Sequence, residues 1–204
     1  MNTDPLKDTY NKIAHDYYHD HKADTWDDDF FGLFIKELAP HVKVLDLGCG
    51  PGVESKKFAE RNFETYGFDF SDELLLIAKK EVPTASFLAG DMLDTFPYET
   101  DYFDGVFAKA SLLHIPKERM DDVLKEIVRV LKKGGILHIA LKKGDDEKHV
   151  TEDDYGYSYE RFFAYWQPDE LRTLFQAHQL AVVAEGTWTN PSKKTVWLKY
   201  LLRK

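Results

Sequence analysis

Residues 44 to 52 read Val44-Leu45-Asp46-Leu47-Gly48-Cys49-Gly50-Pro51-Gly52, and they constrain the chain more than any other stretch. Apolar residues run into an acid, and a glycine-rich turn follows at once. Val53 to Arg61 then reads as a short amphipathic helix. The order is strand, tight turn, helix. Glycines remove side chains where a backbone turns sharply and where a ligand must touch it. A nucleotide-like molecule is the usual visitor to such a turn.

The spacing narrows the choice of nucleotide. A dinucleotide fold uses G-x-G-x-x-G, with pyrophosphate on the helix N-terminus. Here the pattern is G-x-G-x-G, and Val53 stands where the last glycine belongs. Glu54 suits the first turn of a helix but repels a pyrophosphate. Asp46 adds a second anion. The pair favours a ligand with a positive end, and it counts against a nicotinamide oxidoreductase.

The following residues extend the series. Phe63 to Phe68 reads as a second strand ending on Asp69, a carboxylate placed to bond ribose hydroxyls. Phe70 follows, suited to lie against a purine, and Ser71 is a fitting N-cap for a helix over 72–80. A third strand over 85–89 leads into Gly90-Asp91-Met92, where Asp91 can accept from an adenine amino group. A fourth strand spans 103–108. A helix over 117–132 places Met120, Val123, Leu124, Ile127 and Leu131 on one face, and Gly134-Gly135 is expected to stop it. A fifth strand spans 136–141. The expected fold class is α/β, a doubly wound Rossmann-like sheet with helices on both faces.

Taken together, the pieces Asp46-Leu47-Gly48-Cys49-Gly50-Pro51-Gly52, Gly67-Phe68-Asp69-Phe70-Ser71, Gly90-Asp91-Met92, Phe103-Asp104-Gly105-Val106 and Leu131-Lys132-Lys133-Gly134-Gly135 resemble a class I S-adenosylmethionine-dependent methyltransferase of the small-molecule type. They come in the family's order and at its spacing. Tyr10-Asn11-Lys12-Ile13-Ala14-His15-Asp16-Tyr17 resembles the family's opening, with Asn11 in place of Asp. The resemblance covers roughly residues 8 to 141 well and the remainder loosely. It implies seven strands, mostly parallel, with an antiparallel C-terminal hairpin strand. It implies S-adenosylmethionine as cofactor, S-adenosylhomocysteine as product, and a cofactor site of Asp46, Gly48, Cys49, Gly50, Gly52, Asp69, Phe70, Asp91, Met92 and Ala108, with Tyr17 folded over it. It says almost nothing about the methyl acceptor.

Composition agrees with a soluble enzyme. At 204 residues the chain supports one domain with a substantial core. Its expected parts are an N-terminal helical cap over 1–40, a cofactor-binding core over 41–141, and an acceptor-side insertion with a C-terminal helix and hairpin over 142–204. No apolar run approaches the ~20 residues of a membrane span, and Met1-Asn2-Thr3-Asp4 lacks the features of a signal peptide. Cys49, the single cysteine, cannot form an internal disulfide. A cytoplasmic location is expected, with Cys49 a small turn residue rather than a nucleophile. The net charge of −9 counts against an extended nucleic-acid surface. The densest basic places are Lys142-Lys143 and Lys193-Lys194. A monomer or homodimer is expected.

Past the fifth strand, 144–154 is polar and mostly acidic and reads as a solvated loop or a lid. Tyr155 to Trp166 holds seven aromatics among twelve residues. They either cover the sheet edge or wall an acceptor pocket. The expected substrate pocket comprises Tyr10, Tyr17, Lys109, Tyr157, Tyr159 and Trp166. Lys109 is read either as meeting a methionyl carboxylate or as pointing to solvent. Pro168 opens a further helix, and two strands over 180–188 and 195–202 close the chain.

His114 follows the fourth strand at the ligand-facing end of the sheet. It is the candidate general base for an acceptor that must lose a proton, with a structural or pocket-lining role as the alternative. His15-Asp16-Tyr17-Tyr18-His19 superficially resembles a zinc helix, but the setting is polar and Asp replaces Glu, so no metal is expected. The leading function is methyl transfer to a small molecule. The alternatives are a tRNA or protein methyltransferase and a catalytically silent cofactor-binding module.

Overall fold

The structure, a computed structural model, describes residues 5–204. The Met1–Asp4 segment read above for the absence of a leader lies outside the described residues.

The chain opens with two helices, α1 (Pro5–His21) and α2 (Asp28–Lys36), then alternates β1 (Lys43–Leu47), α3 (Val53–Ala59), β2 (Glu64–Asp69), α4 (Asp72–Glu81), β3 (Ser86–Ala89) and β4 (Phe103–Lys109). Next come α5 (Met120–Val130), β5 (Leu131–Lys142), a hairpin of β6 (Glu147–Glu152) and β7 (Tyr159–Ala164), α6 (Pro168–Ala177), β8 (Ala181–Thr189) and β9 (Val196–Arg203). The main sheet has seven strands in the order β3-β2-β1-β4-β5-β9-β8. β1 pairs in parallel with both β2 and β4, and β9 is antiparallel to β5 and β8. Strand order therefore reverses beside β1, and the crevice beyond the C-terminal ends of β1 and β4 is where such sheets bind ligands.

Helices cover both faces, so the central strands are buried almost throughout. Val44, Leu45 and Leu47 of β1 are fully enclosed, as expected of a parallel strand between two helical layers. On one face α2 presents Phe30, Phe31 and Phe34 to Val44, Phe58, Phe107 and Ile136. Burying each such ring stabilises the fold by about 1.5–3 kcal/mol. On the other face Met120, Val123, Leu124 and Ile127 of α5 pack on Val106, Leu137 and Ile139.

α1 carries Tyr10, Ile13, Ala14 and Tyr17 on one stripe, and it packs against α4 and β7. Asn11 fastens it: its side-chain oxygen accepts from Ser71 Oγ at 2.7 Å and from the Glu73 amide at 3.3 Å. Ser71 caps α4 by accepting from the Leu74 amide. α6 begins with a reciprocal capping box between Gln167 and Glu170.

Three local readings need correction. The helix expected over 117–132 is a 3-10 turn over 117–119 followed by α5, which ends at Val130, and Leu131 already belongs to β5 opposite Phe103. Leu131 continues the apolar spacing of the helix, so periodicity alone extends it past Val130. The polar 144–154 segment is not all loop, because Glu147–Glu152 is a strand paired with β7. That strand is largely exposed, so it lacks the alternation that marks a half-buried one. Tyr155 and Tyr157 precede β7 rather than alternating along it.

Candidate functional site

The turn after β1 is built around three residues at positive φ, Gly48 at 73°, Gly50 at 50° and Gly52 at 81°. At Gly48 a Cβ would lie 2.2 Å from Ser111 Cβ and 2.7 Å from Met92 Cε, so the backbone conformation and the packing both demand glycine. The Gly48 amide donates to the Phe68 carbonyl at 2.7 Å, tying the turn to β2. The Gly50 amide donates to Asp69 Oδ2 at 2.8 Å, and the Ser71 amide donates to Asp69 Oδ1 at 2.9 Å. Burial pushes the Asp69 carboxyl up to about 6, against the pull of these amides. Each Asp69 oxygen uses one acceptor position in this way and keeps another for a ligand hydroxyl.

Two cavities open from this turn. The smaller, about 90 Å³, is lined by Asp69, Phe70, Asp91, Met92 and Ile115, among others. Its carboxylates and apolar walls are of the kind that could hold an adenosyl group. The larger, about 850 Å³, extends past Cys49, Glu54 and Lys109 to Lys142, Arg161, Trp188 and Trp197. Tyr10, Tyr17, Gly48, Gly50, Ala110 and His114 line both. The two rings of α1 meet edge to face, 5.6 Å between centres.

His114 sits in a 3-10 turn over 112–114. Its Nδ1 lies 2.7 Å from the Phe162 carbonyl and its Nε2 lies 2.7 Å from Tyr10 Oη. A carbonyl only accepts, so Nδ1 carries the proton and donates. Nε2 is then the acceptor of the Tyr10 hydroxyl. Arg161 Nη1 donates to the same hydroxyl at 3.3 Å. Burial, together with the nearby cations Arg161 and Lys142, holds the imidazole down to about 3. His114 is therefore a neutral ring with both nitrogens engaged.

A family model described as a methyltransferase domain matches residues 44–135, the span that contains this turn and both carboxylates. Over that span the chain is similar to S-adenosylmethionine-dependent methyltransferases. Among curated relatives, a putative methyltransferase, YqeM of Bacillus subtilis, is 36% identical over 100 residues, covering 47% of this chain and 40% of that protein. A demethylmenaquinone methyltransferase of Renibacterium salmoninarum is 32% identical over 101 residues, covering 50% of this chain and 41% of that one. The matches thus span only about 40% of these relatives' length. The crystal structure of a Burkholderia thailandensis 1,6-didemethyltoxoflavin-N1-methyltransferase, with 1,6-didemethyltoxoflavin and S-adenosylhomocysteine bound, superposes with a TM-score of 0.78. That comparison covers 100% of this chain and 92% of the other at 18% identity, a likeness of fold.

Within this methyltransferase fold the expected site residues separate into two groups. Gly48, Cys49, Gly50, Asp69, Phe70, Asp91, Met92, Tyr10, Tyr17, Lys109 and His114 line one or both cavities. Asp46, Gly52, Ala108, Tyr157, Tyr159 and Trp166 line neither. Asp46 lies behind the turn, where it accepts from Ser55 Oγ at 2.6 Å, and burial with the Glu54 charge pushes it up to about 7. Gly52 heads α3 against Ala78 of α4. Ala108 is fully buried in the sheet core, and Ala110, two residues on, is the one that faces the cavities.

Tyr157 hydrogen-bonds Asp16 at the surface, and Tyr159 is buried against Tyr155 at the base of α1. Trp166 packs into the core beneath Lys117. None of these three lines either cavity, whereas Tyr155 and Phe163 of the same run line the larger one. Lys109 does not point to solvent, and it lines the larger cavity. It is nearly buried, and its Nζ pairs with Glu54 Oε1 at 2.6 Å.

Sequence reading missed Lys142, Arg161, Ala110 and the Trp26–Trp188–Trp197 wall. Arg161 was hidden among aromatics, and Lys142 was visible only as half of a basic pair.

Proposed function

We propose that the protein transfers the methyl group of S-adenosylmethionine to a small-molecule acceptor. The observation that carries this reading is the meeting of the two cavities at Gly50, Tyr10 and His114, one suited to an adenosyl group and the other large and bordered by α1. The bound cofactor supplies an already electrophilic methyl, so the protein's task is to orient the acceptor and exclude water. Asp69 and Asp91 hold the nucleoside end. Tyr10 and Tyr17 cover the junction, and their rings favour a nearby positive charge.

The two roles open to His114 narrow to one. Its Nε2 already accepts from Tyr10, so a proton bound for His114 travels through the Tyr10 hydroxyl. His114 thus positions Tyr10 and reaches an acceptor only through it.

A labelled-methyl assay tests the reading. The protein is incubated with methyl-labelled S-adenosylmethionine and, separately, with metabolite, tRNA and protein pools. Label is expected in the metabolite pool. Label confined to tRNA or protein would replace the small-molecule acceptor, and binding without any transfer would leave a silent cofactor-binding module.

A further inference from the structure

We propose that the acceptor is a carboxylate-bearing molecule with a flat apolar body, and that the Lys142 ammonium is its anchor. The proposal rests on the reading of the large cavity as the acceptor site. Lys142 ends β5 and lines that cavity. Its Nζ lies 3.5 Å from the centre of the Phe163 ring and 5.8 Å from that of Trp197. Among the described residues no carboxylate lies within ion-pair distance of it. The other cations of the cavity are all matched: Lys109 by Glu54, Arg161 by Glu152, Lys193 by Asp154 and Lys199 by Asp29.

The acid nearest to hand is committed elsewhere. Glu152 Oε2 takes Arg161 Nε at 2.6 Å and Nη2 at 2.5 Å. Glu152 is thus taken by Arg161, and Lys142 stands without a counterion of its own in a chain whose net charge is −9. Burial first, and then Arg161, draws Lys142 down to about 8. An unmatched cation in a partly desolvated site is costly, and a bound anion relieves that cost. Aromatic rings complete the surroundings. Trp188 stacks on Trp26 at 5.4 Å, and Trp26 lies 4.6 Å from Trp197. Such a wall accepts a planar apolar body.

The cofactor's own carboxylate is the competing partner, and position counts against it. The charged groups that act most strongly on Lys142 are Arg161, Glu152, Lys193 and Lys148, all from the segment after β5. Arg161 in turn reaches Tyr10, which places the positive spot beside the junction of the two cavities.

Calorimetry on the full chain, with and without saturating S-adenosylhomocysteine, tests the proposal using 2-naphthoate, neutral 2-naphthamide and inorganic phosphate. Naphthoate is expected to bind more tightly than the amide by roughly 10- to 150-fold, the range for a hydrogen bond to a charged group. Lys142→Gln should erase that preference, Lys142→Arg should retain most of it, and neither should alter affinity for S-adenosylhomocysteine. Nitrogen-15 NMR of the Lys142 ammonium should show its pKa rising when naphthoate binds, a readout that needs no variant.

Equal affinity for acid and amide, or no naphthoate binding, overturns the proposal. So does phosphate binding as tightly as naphthoate. A Lys142→Gln variant that loses S-adenosylhomocysteine but keeps naphthoate would assign the lysine to the cofactor. Failure of the wild-type protein to bind S-adenosylhomocysteine would instead strike the methyltransferase reading, and it is measured separately.

Discussion

Two glycines of the same turn serve different ends. At Gly48 an added Cβ collides with Ser111 and Met92, whereas at Gly50 the nearest atom is Leu74 Cδ1 at 4.0 Å. Gly50→Ala is therefore expected to keep the fold, at about 1–2 kcal/mol of backbone strain, while its methyl intrudes where both cavities meet. Gly48→Ala is expected to lower the unfolding midpoint more. Calorimetry with S-adenosylhomocysteine and thermal melts check the pair, and a Gly50→Ala protein with unchanged affinity would place the ligand away from the turn.

His114 carries a pH signature. Its ordinary value is 6.5 and burial lowers it to about 3 in the fold. Above pH 6.5 the ring is neutral in both states and imposes no penalty. As pH falls below 6.5 the unfolded chain binds a proton that the native state refuses, and stability drops by up to about 1.4 kcal/mol per pH unit until roughly pH 3. Denaturant unfolding from pH 7 to 4 should show this slope in the wild type and a shallower one in His114→Gln. Equal slopes would mean that the ring is open to solvent.

At the scale of elements, the joint between α2, β5 and β9 is polar and buried. His138 Nε2 lies 2.7 Å from Asp27 Oδ2, and His138 Nδ1 lies 3.0 Å from the Tyr200 carbonyl. Lys199 stands 3.7 Å from Asp27 and 2.5 Å from Asp29. Asp27, His138 and Lys199 are at most 3% exposed. Asp27→Ala removes the shared partner and leaves the other two groups buried. Breaking such a network is expected to cost about 3–5 kcal/mol, measured by denaturant unfolding. A loss within 1 kcal/mol of zero, on that scale, would show that the cluster is hydrated.

The β6–β7 hairpin makes a second such joint. Its Phe162 carbonyl orients His114, and its Arg161 reaches Tyr10 on α1. An insertion outside the main sheet thus fixes the ring and hydroxyl at the centre of the site.

Across the whole molecule, the parts that proved legible are those with local causes. The glycine turn, the carboxylate ending β2, the Ser71 cap and the apolar face of α5 each arise within a few residues, where sterics and helix or strand period act directly. They carry the family resemblance, and that resemblance implied the seven-stranded sheet and the antiparallel end strand. The misplaced pieces lack local causes. Tyr10 meets His114 across 104 residues, Asp27 meets His138 across 111, and Arg161 meets Tyr10 across 151. A lysine in a basic pair and an arginine in an aromatic run look like surface until folding buries them. The sequence by itself determined where a nucleotide-binding turn forms and which sheet surrounds it, because those depend on backbone freedom and periodicity. Only the tertiary structure decided that His114 has no free nitrogen and that Lys142 has no counterion, because both depend on which distant groups the packed chain brings within a few ångströms.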